Sequence, residues 1–173
     1  MSLDDIDKKI VTILQQDGRI TNARLAKLVG ISPAGMLDRV RRLEKNGTIR
    51  KYVALVNPEH VGRGTLAFVS VTLAMHRLPS IDSFIEEIAA MPEVLESYHV
   101  TGEEDFILKV AVGTISEYED FLLHKLTRIE GVGKVKTTIV LSTTKYETGL
   151  GVNGGPVTEA KQKTRMRAKD ERE

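Results

Sequence analysis

Thr21-Asn22-Ala23-Arg24-Leu25-Ala26-Lys27-Leu28-Val29-Gly30-Ile31-Ser32-Pro33-Ala34-Gly35-Met36-Leu37-Asp38-Arg39-Val40-Arg41-Arg42-Leu43-Glu44-Lys45 is two short helices and the turn between them. Thr21 is placed to cap the first helix, Leu25, Leu28 and Val29 give it an apolar face, and Gly30 ends it. Ser32 is placed to cap the second. Pro33 follows at the first helical position, where its missing N–H costs nothing. Ile31 and Met36 have the spacing of a hydrophobic staple, and Met36, Val40 and Leu43 repeat at helical intervals up to Asn46-Gly47. Two helices joined around Gly30-Ile31-Ser32 have the form of a helix-turn-helix.

The other face of the second helix is basic. With Met36, Val40 and Leu43 buried, Asp38, Arg39, Arg42 and Lys45 should project outward, with Arg41 at the edge. From Ser32 to Lys51 there are six basic residues against two acidic ones, Arg50 among them. Such a face suits the phosphates of double-stranded DNA, whose counterions it releases. The small residues Ser32, Ala34 and Gly35 stand at the end that enters the major groove in a helix-turn-helix. The candidate DNA-binding residues are therefore Ser32, Ala34, Gly35, Asp38, Arg39, Arg42, Lys45 and Arg50. A charged helix face can also be merely solvated. Here capping, turn, apolar stripe and basic face coincide.

Upstream, Leu3, Ile6, Ile10, Ile13 and Leu14 predict a further helix, with Ser2 as its cap, Asp4 and Asp5 in its first turn, and Gly18 closing it. Charge is unevenly distributed. Residues 1–60 hold 11 Lys/Arg and 7 Asp/Glu, whereas residues 61–150 hold 8 and 13, within a chain of 173 residues and net charge +1. A basic part followed by an acidic one implies two surfaces with different partners.

Downstream, Thr48–Val56 is rich in β-formers and predicts a linker strand, broken by Asn57-Pro58. Residues 65–75 alternate as a strand, and Pro79-Ser80 opens a helix bearing Ile81, Phe84, Ile85 and Ile88. Strands follow at Val94–Val100 and Asp105–Val112. A helix capped by Ser116 then carries Tyr118, Phe121, Leu122, Leu126 and Ile129. Lys134–Thr143 is the last strand, with Val135, Thr137, Ile139 and Leu141 on one side. The order βαββαβ is a ferredoxin-like domain, and the fold class is α+β. Apolar residues on both sides of several strands imply that the open sheet face is covered by a second copy, so the chain should at least dimerise. The expected division is residues 1–60, a helix-turn-helix with linker strand; 61–146, the ferredoxin-like domain; and 147–173, a flexible charged tail with a weak helical tendency at Thr158–Lys169.

The absence of cysteine excludes disulfides and thiolate metal sites. No apolar run suits a bilayer, and Met1-Ser2-Leu3-Asp4-Asp5 is unlike a signal peptide, so a cytoplasmic protein with no membrane partner is expected. His60, His76, His99 and His124 lack metal-ligand spacing. Glu103, Glu104 and Asp105 cluster as a solvated acidic turn would, and no phosphate-cradling loop or nucleophile elbow is present. An enzyme is not expected, nor any metal or cofactor.

The stretches Asp4-Asp5-Ile6-Asp7-Lys8-Lys9-Ile10, Gln16-Asp17-Gly18-Arg19-Ile20, Val29-Gly30-Ile31-Ser32-Pro33 and Arg39-Val40-Arg41-Arg42-Leu43-Glu44 resemble the Lrp/AsnC, or feast/famine, family of transcription regulators. The resemblance runs from about Leu3 to Ser142. It implies a winged helix-turn-helix and a ferredoxin-like (RAM) domain that dimerises through its sheets, with further assembly often to octamers. It also implies an amino-acid effector bound between dimers at the loop Val100–Phe106, where Thr101, Gly102, Glu104 and Asp105 would contact it. The family pattern there is Gly, any residue, an aromatic, then Asp. This chain keeps Gly102 and Asp105 but has Glu104 in the aromatic position, which suits a cationic ligand or none. Thr137 matches a strand position that can face the ligand in relatives, and is equally an ordinary β-former. The resemblance implies a sequence-specific DNA-binding regulator whose assembly or DNA affinity responds to a small molecule. The alternative is an effector-binding or assembly protein of the same fold without specific DNA binding.

Overall fold

A computed structural model describes residues 3–74 and 78–152. The chain separates into two compact units. One is built from the described residues up to Ala54 together with those from Lys145 onward, the other from the described residues between Leu55 and Thr144.

The N-terminal unit holds α1 (Asp5–Gln16), α2 (Asn22–Val29) and α3 (Pro33–Lys45). Ile10, Leu25, Met36 and Leu43 are fully buried at its centre, with Ala26 and Val40 beside them. Ile6, Leu14, Ile20, Ile31 and Ile49 close over this core. Each large aliphatic side chain so buried is worth about 1.5–3 kcal/mol, which lets helices of 8 to 13 residues persist. Thr21 and Ser32 cap α2 and α3 as expected, accepting from the amides of Arg24 and Gly35. Gly30 closes α2 at φ +85°, a conformation that favours glycine.

Some expectations for this unit need correction. Ser2 lies outside the described residues, and α1 is capped by Asp4, whose carboxylate accepts from the Asp7 amide at 2.7 Å and also favours the helix dipole. The helix closes at Asp17 rather than Gly18. Leu28 is exposed, and Ala26 takes its place in the core. Thr48–Val56 forms no strand. Tyr52, Val53, Leu55 and Val56 are exposed, and no strand among the described residues pairs with this segment, which a strand requires.

The C-terminal unit runs β1 (Thr65–Leu73), α4 (Leu78–Ala89), β2 (Val94–His99), β3 (Phe106–Val112), α5 (Ile115–His124) and β4 (Val132–Ile139). The sheet order is β2-β3-β1-β4, antiparallel throughout, as the βαββαβ pattern requires. Val69, Val71, Phe106, Leu108 and Val110 face the helices and pack on Phe84, Ile88 and Phe121. The Phe84 and Phe106 rings lie 4.6 Å apart. The opposite face presents Phe68, Ser70 and Thr72 beside Ile107 and Lys109, with Tyr98 across from Ile107. Phe68 is 41% exposed and Tyr98 51%.

Thr114, not Ser116, caps α5, accepting from the Glu117 amide at 3.1 Å. The helix stops at His124. Leu126 and Ile129 are buried from the following 3-10 turn and its end, so the apolar spacing continued past the helix itself. On β4, Val135, Thr137 and Ile139 share the inward side, but Leu141 lies beyond the strand and is 97% exposed. The expected helix at Thr158–Lys169 and residues 153–173 lie outside the described residues.

Candidate functional site

In the N-terminal unit, the start of α3 is set by a few short contacts. The amides of Gly30 and Ile31 both donate to the Ala26 carbonyl, at 2.8 and 3.1 Å, which turns the chain sharply out of α2. Ser32 Oγ then accepts from Gly35 N at 3.2 Å. A Cβ on Gly35 would meet that oxygen at 3.2 Å, so a small residue suits the capped end. Ser32, Pro33 and Ala34 are exposed, leaving the first turn of α3 open to a ligand.

Beyond that turn, Asp38, Arg41, Arg42 and Lys45 are exposed, and Arg50 is exposed just after the helix. Arg39 departs from the expected outward direction. It folds against α1, where Nη1 meets Asp4 Oδ2 at 2.6 Å and Asp7 Oδ1 at 2.8 Å. Arg42 Nη2 also reaches Asp7, at 3.0 and 2.8 Å from its two oxygens. Arg39 holds the Asp4 carboxyl below its ordinary pKa, helped by the Asp7 amide, and the two carboxylates raise that of Arg39.

Sequence reasoning missed Asp4 and Asp7 as partners of these arginines. The signal was present, because Leu3, Asp7, Ile10 and Leu14 form one helical stripe, and a carboxylate on an apolar stripe needs a counter-ion. It also underrated Arg41, which is exposed and makes no ion pair among the described residues. Tyr52 was read only as a β-former. It donates to Glu44 Oε1 at 3.0 Å, and although the residue as a whole is exposed, partial desolvation around the hydroxyl together with that carboxylate pushes it up to about 12.

In the C-terminal unit, the loop between β2 and β3 is drawn onto the end of β1. Val100 N donates to the Asp105 carbonyl at 2.9 Å and Asp105 N to the Val71 carbonyl at 3.0 Å. Asp105 Oδ2 accepts from Leu73 N at 2.7 Å. One oxygen of the expected ligand-binding Asp105 therefore holds the loop in place. Gly102 sits at φ +137°, which L side chains rarely adopt. Thr101 and Gly102 are exposed. Glu104 is half-buried and makes no hydrogen bond with any described residue.

Thr137 is not brought to this loop by any hydrogen bond. It lies on the helix side of the sheet, its hydroxyl 2.5 Å from that of Tyr118 on α5. Two surface cavities of about 380 and 400 Å³ are lined by other residues, the second by the groove between α4 and β2 that ends at His99 and Phe106. Among the described residues no cluster of His, Asp or Glu could hold a metal ion, and no helix is long and apolar enough to cross a membrane.

A helix-turn-helix with an open first turn and a cationic face, joined to an α/β unit with a constrained loop, defines a DNA-binding regulator with a ligand domain. Comparison with known proteins identifies which kind. Residues 3–50 match the winged helix-turn-helix DNA-binding model, and residues 66–150 match the Lrp/AsnC ligand binding domain. The leucine-responsive regulatory proteins of Escherichia coli K12 and Klebsiella pneumoniae are each 38% identical over 148 residues, 86% of this chain and 90% of theirs. A Neisseria meningitidis transcriptional regulator solved in complex with L-Met superposes with a TM-score of 0.83 at 34% identity, covering 88% of this chain and 98% of its own. An AsnC family regulator from Agrobacterium tumefaciens gives 0.81 at 35%, covering 86% and 96%. The chain belongs to the Lrp/AsnC family, whose members are transcription regulators and not enzymes. Its helix-turn-helix is a DNA-binding domain, and its βαββαβ unit is a small-molecule-binding domain.

Proposed function

We propose that this chain is a cytoplasmic regulator that reads double-stranded DNA with the exposed face of α3 and answers to an amino acid. The observation that carries the reading is the exposed start of α3, with Ser32, Ala34 and Gly35 leading into Asp38, Arg42, Lys45 and, past the helix, Arg50. Small side chains let that end approach base edges, while the cations engage phosphates. Arg39 stands behind them, tied to α1. The effector loop is Thr101, Gly102, Glu104 and Asp105. Its free carboxylate, Glu104, would receive an ammonium group. The L-Met complex of the Neisseria relative supports an amino acid as ligand. Thr137 is the further ligand-facing candidate that the family resemblance implies, and its hydroxyl meets that of Tyr118.

The chain works as a dimer or a larger assembly such as an octamer. The support is the open sheet face, where Phe68, Ile107 and Tyr98 lie together. Two helix-turn-helix units per dimer would read half-sites about one helical turn apart or a multiple of it. The effector acts only by binding one arrangement of subunits better than another. The test is mass in solution by light scattering, with and without each of the twenty amino acids, followed by DNA titration at rising salt. A multimer whose size or stability answers to one amino acid, and whose DNA affinity falls steeply with salt, is the expected result. A monomer indifferent to all twenty would overturn the sensing role, and salt-independent DNA binding would overturn the role of α3.

A further inference from the structure

Asp7 is the one buried charged side chain among the described residues, 5% exposed on the apolar stripe of α1. A carboxylate there is tolerated only with cations against it. Two arginines of α3 supply them, and they are held differently. Arg39 spends one nitrogen, Nη1, on two carboxylates, Asp4 at 2.6 Å and Asp7 at 2.8 Å, and its side chain is 25% exposed. Arg42 gives Nη2 alone to Asp7, at 2.8 and 3.0 Å, and is 50% exposed. The Nε and Nη1 of Arg42 carry no hydrogen bond to any described residue.

Resting on the DNA-binding role of α3, we propose that Asp7 is a positioning residue for DNA recognition. With Asp4 it withdraws Arg39 from the phosphates as a strap to α1, and by itself it holds Arg42 by one nitrogen so that the other two meet a single phosphate in a fixed geometry. A free arginine side chain follows phosphates wherever they lie, which adds affinity for any duplex alike. One clamped at its far end meets a phosphate only when the helix is docked in one register, and phosphate contacts of that kind fix register and orientation. Asp7 therefore lowers the number of cations facing DNA and raises the dependence of binding on docking. Arg41 and Lys45, exposed on the same helix, are the cations no described carboxylate clamps.

The test uses the full chain, a duplex selected from a random pool by the wild-type protein, and a random-sequence duplex of equal length. Binding to each is followed by fluorescence anisotropy over a range of salt. Arg42→Met should flatten the salt dependence by about one unit of slope, the loss of one phosphate contact, and Arg39→Met should leave the slope unchanged. Asp7→Asn should bind the random duplex more tightly at low salt, with a steeper slope, and discriminate the selected duplex roughly tenfold less well. A purely structural Asp7 would weaken binding to both duplexes without steepening either slope. Equal flattening by Arg39→Met and Arg42→Met would overturn the proposal, as would unchanged discrimination in Asp7→Asn. If Asp7→Asn fails to fold, the arginine pair decides. Lys45→Ala lies outside the cluster and reports separately on α3, so a slope unmoved by Lys45→Ala would reject the DNA-binding face itself.

Discussion

Gln15 and Leu150 are bound as a reciprocal pair: the Leu150 amide donates to Gln15 Oε1 at 2.6 Å, and Gln15 Nε2 donates to the Leu150 carbonyl at 3.0 Å. They are 135 residues apart in sequence, and the bond fastens the described end of the chain to the last turn of α1. Replacing Gln15 by Ala removes both bonds. They are exposed, so the loss of global stability should be less than about 1 kcal/mol. The local effect is larger relative to its background. Amide hydrogen exchange at Leu150 should accelerate roughly fivefold, the equivalent of about 1 kcal/mol of local opening. Unaltered exchange at Leu150 would show that the segment is held by other contacts.

The acid stability of the N-terminal unit should depend on Asp4. Its carboxyl is held below the ordinary value of 3.8, chiefly by Arg39 and then by the Asp7 amide. A depressed folded-state value means that the carboxylate stabilises the fold above 3.8, and that this share is lost as pH falls through the folded value. Asp4→Asn keeps a good N-cap and removes the titration. Thermal melts of the variant should therefore show a flatter acid limb below pH 4, about where the wild type begins to weaken. Identical limbs would show that Asp4 titrates as it does in the unfolded chain.

The helix-turn-helix was legible from local chemistry because each signal acts over three or four residues. Thr21, Gly30, Ser32 and Pro33 satisfy or spare backbone groups at helix ends, and Met36, Val40 and Leu43 face the core by spacing alone. The βαββαβ order was legible for a similar reason, since β-branched runs alternate with amphipathic helices. Thr48–Val56 failed the same test. Its composition is that of a strand, but strand formation depends on a neighbour that sequence does not name. The cap of α5 was displaced by two residues because Thr114 and Ser116 are both competent, and Glu117 settles the choice by reaching back to the Gly113 amide at 2.9 Å. Pairings across large sequence distances stayed hidden. Arg39 with Asp4, Tyr118 with Thr137, and Asp105 with Leu73 each join residues that only the fold brings together.

The Tyr118–Thr137 contact ties α5 to β4 beneath the half of the sheet that carries Thr137. Tyr118 is buried, and burial raises its hydroxyl above the ordinary tyrosine value against the opposing effect of Thr137. Tyr118→Phe and Thr137→Val should each cost about 1 kcal/mol, by leaving the other hydroxyl without its partner. The double variant should cost less than the sum of the two, with a coupling of roughly 1 kcal/mol in denaturant melts. Additive losses would mean that the hydroxyls do not share a hydrogen bond in solution. If Thr137 acts on the effector through this contact, Tyr118→Phe should weaken amino-acid binding as Thr137→Val does.

Gly102 is the loop position least able to accept another residue. Its φ of +137° disfavours every L side chain, while no atom lies within 4 Å of where a Cβ would stand. Gly102→Ala should therefore strain the backbone without creating a clash, at about 1–3 kcal/mol. The loop would relieve that strain by leaving the end of β1, which breaks the bonds from Leu73 N to Asp105 Oδ2 and from Asp105 N to the Val71 carbonyl. The measurement is hydrogen exchange at Leu73 and Asp105 together with amino-acid binding by calorimetry. Both amides should lose protection and the amino acid should lose affinity, while DNA binding in the absence of effector remains as in the wild type. Retained protection with lost affinity would instead place Gly102 in contact with the ligand, where the added methyl group stands in its path.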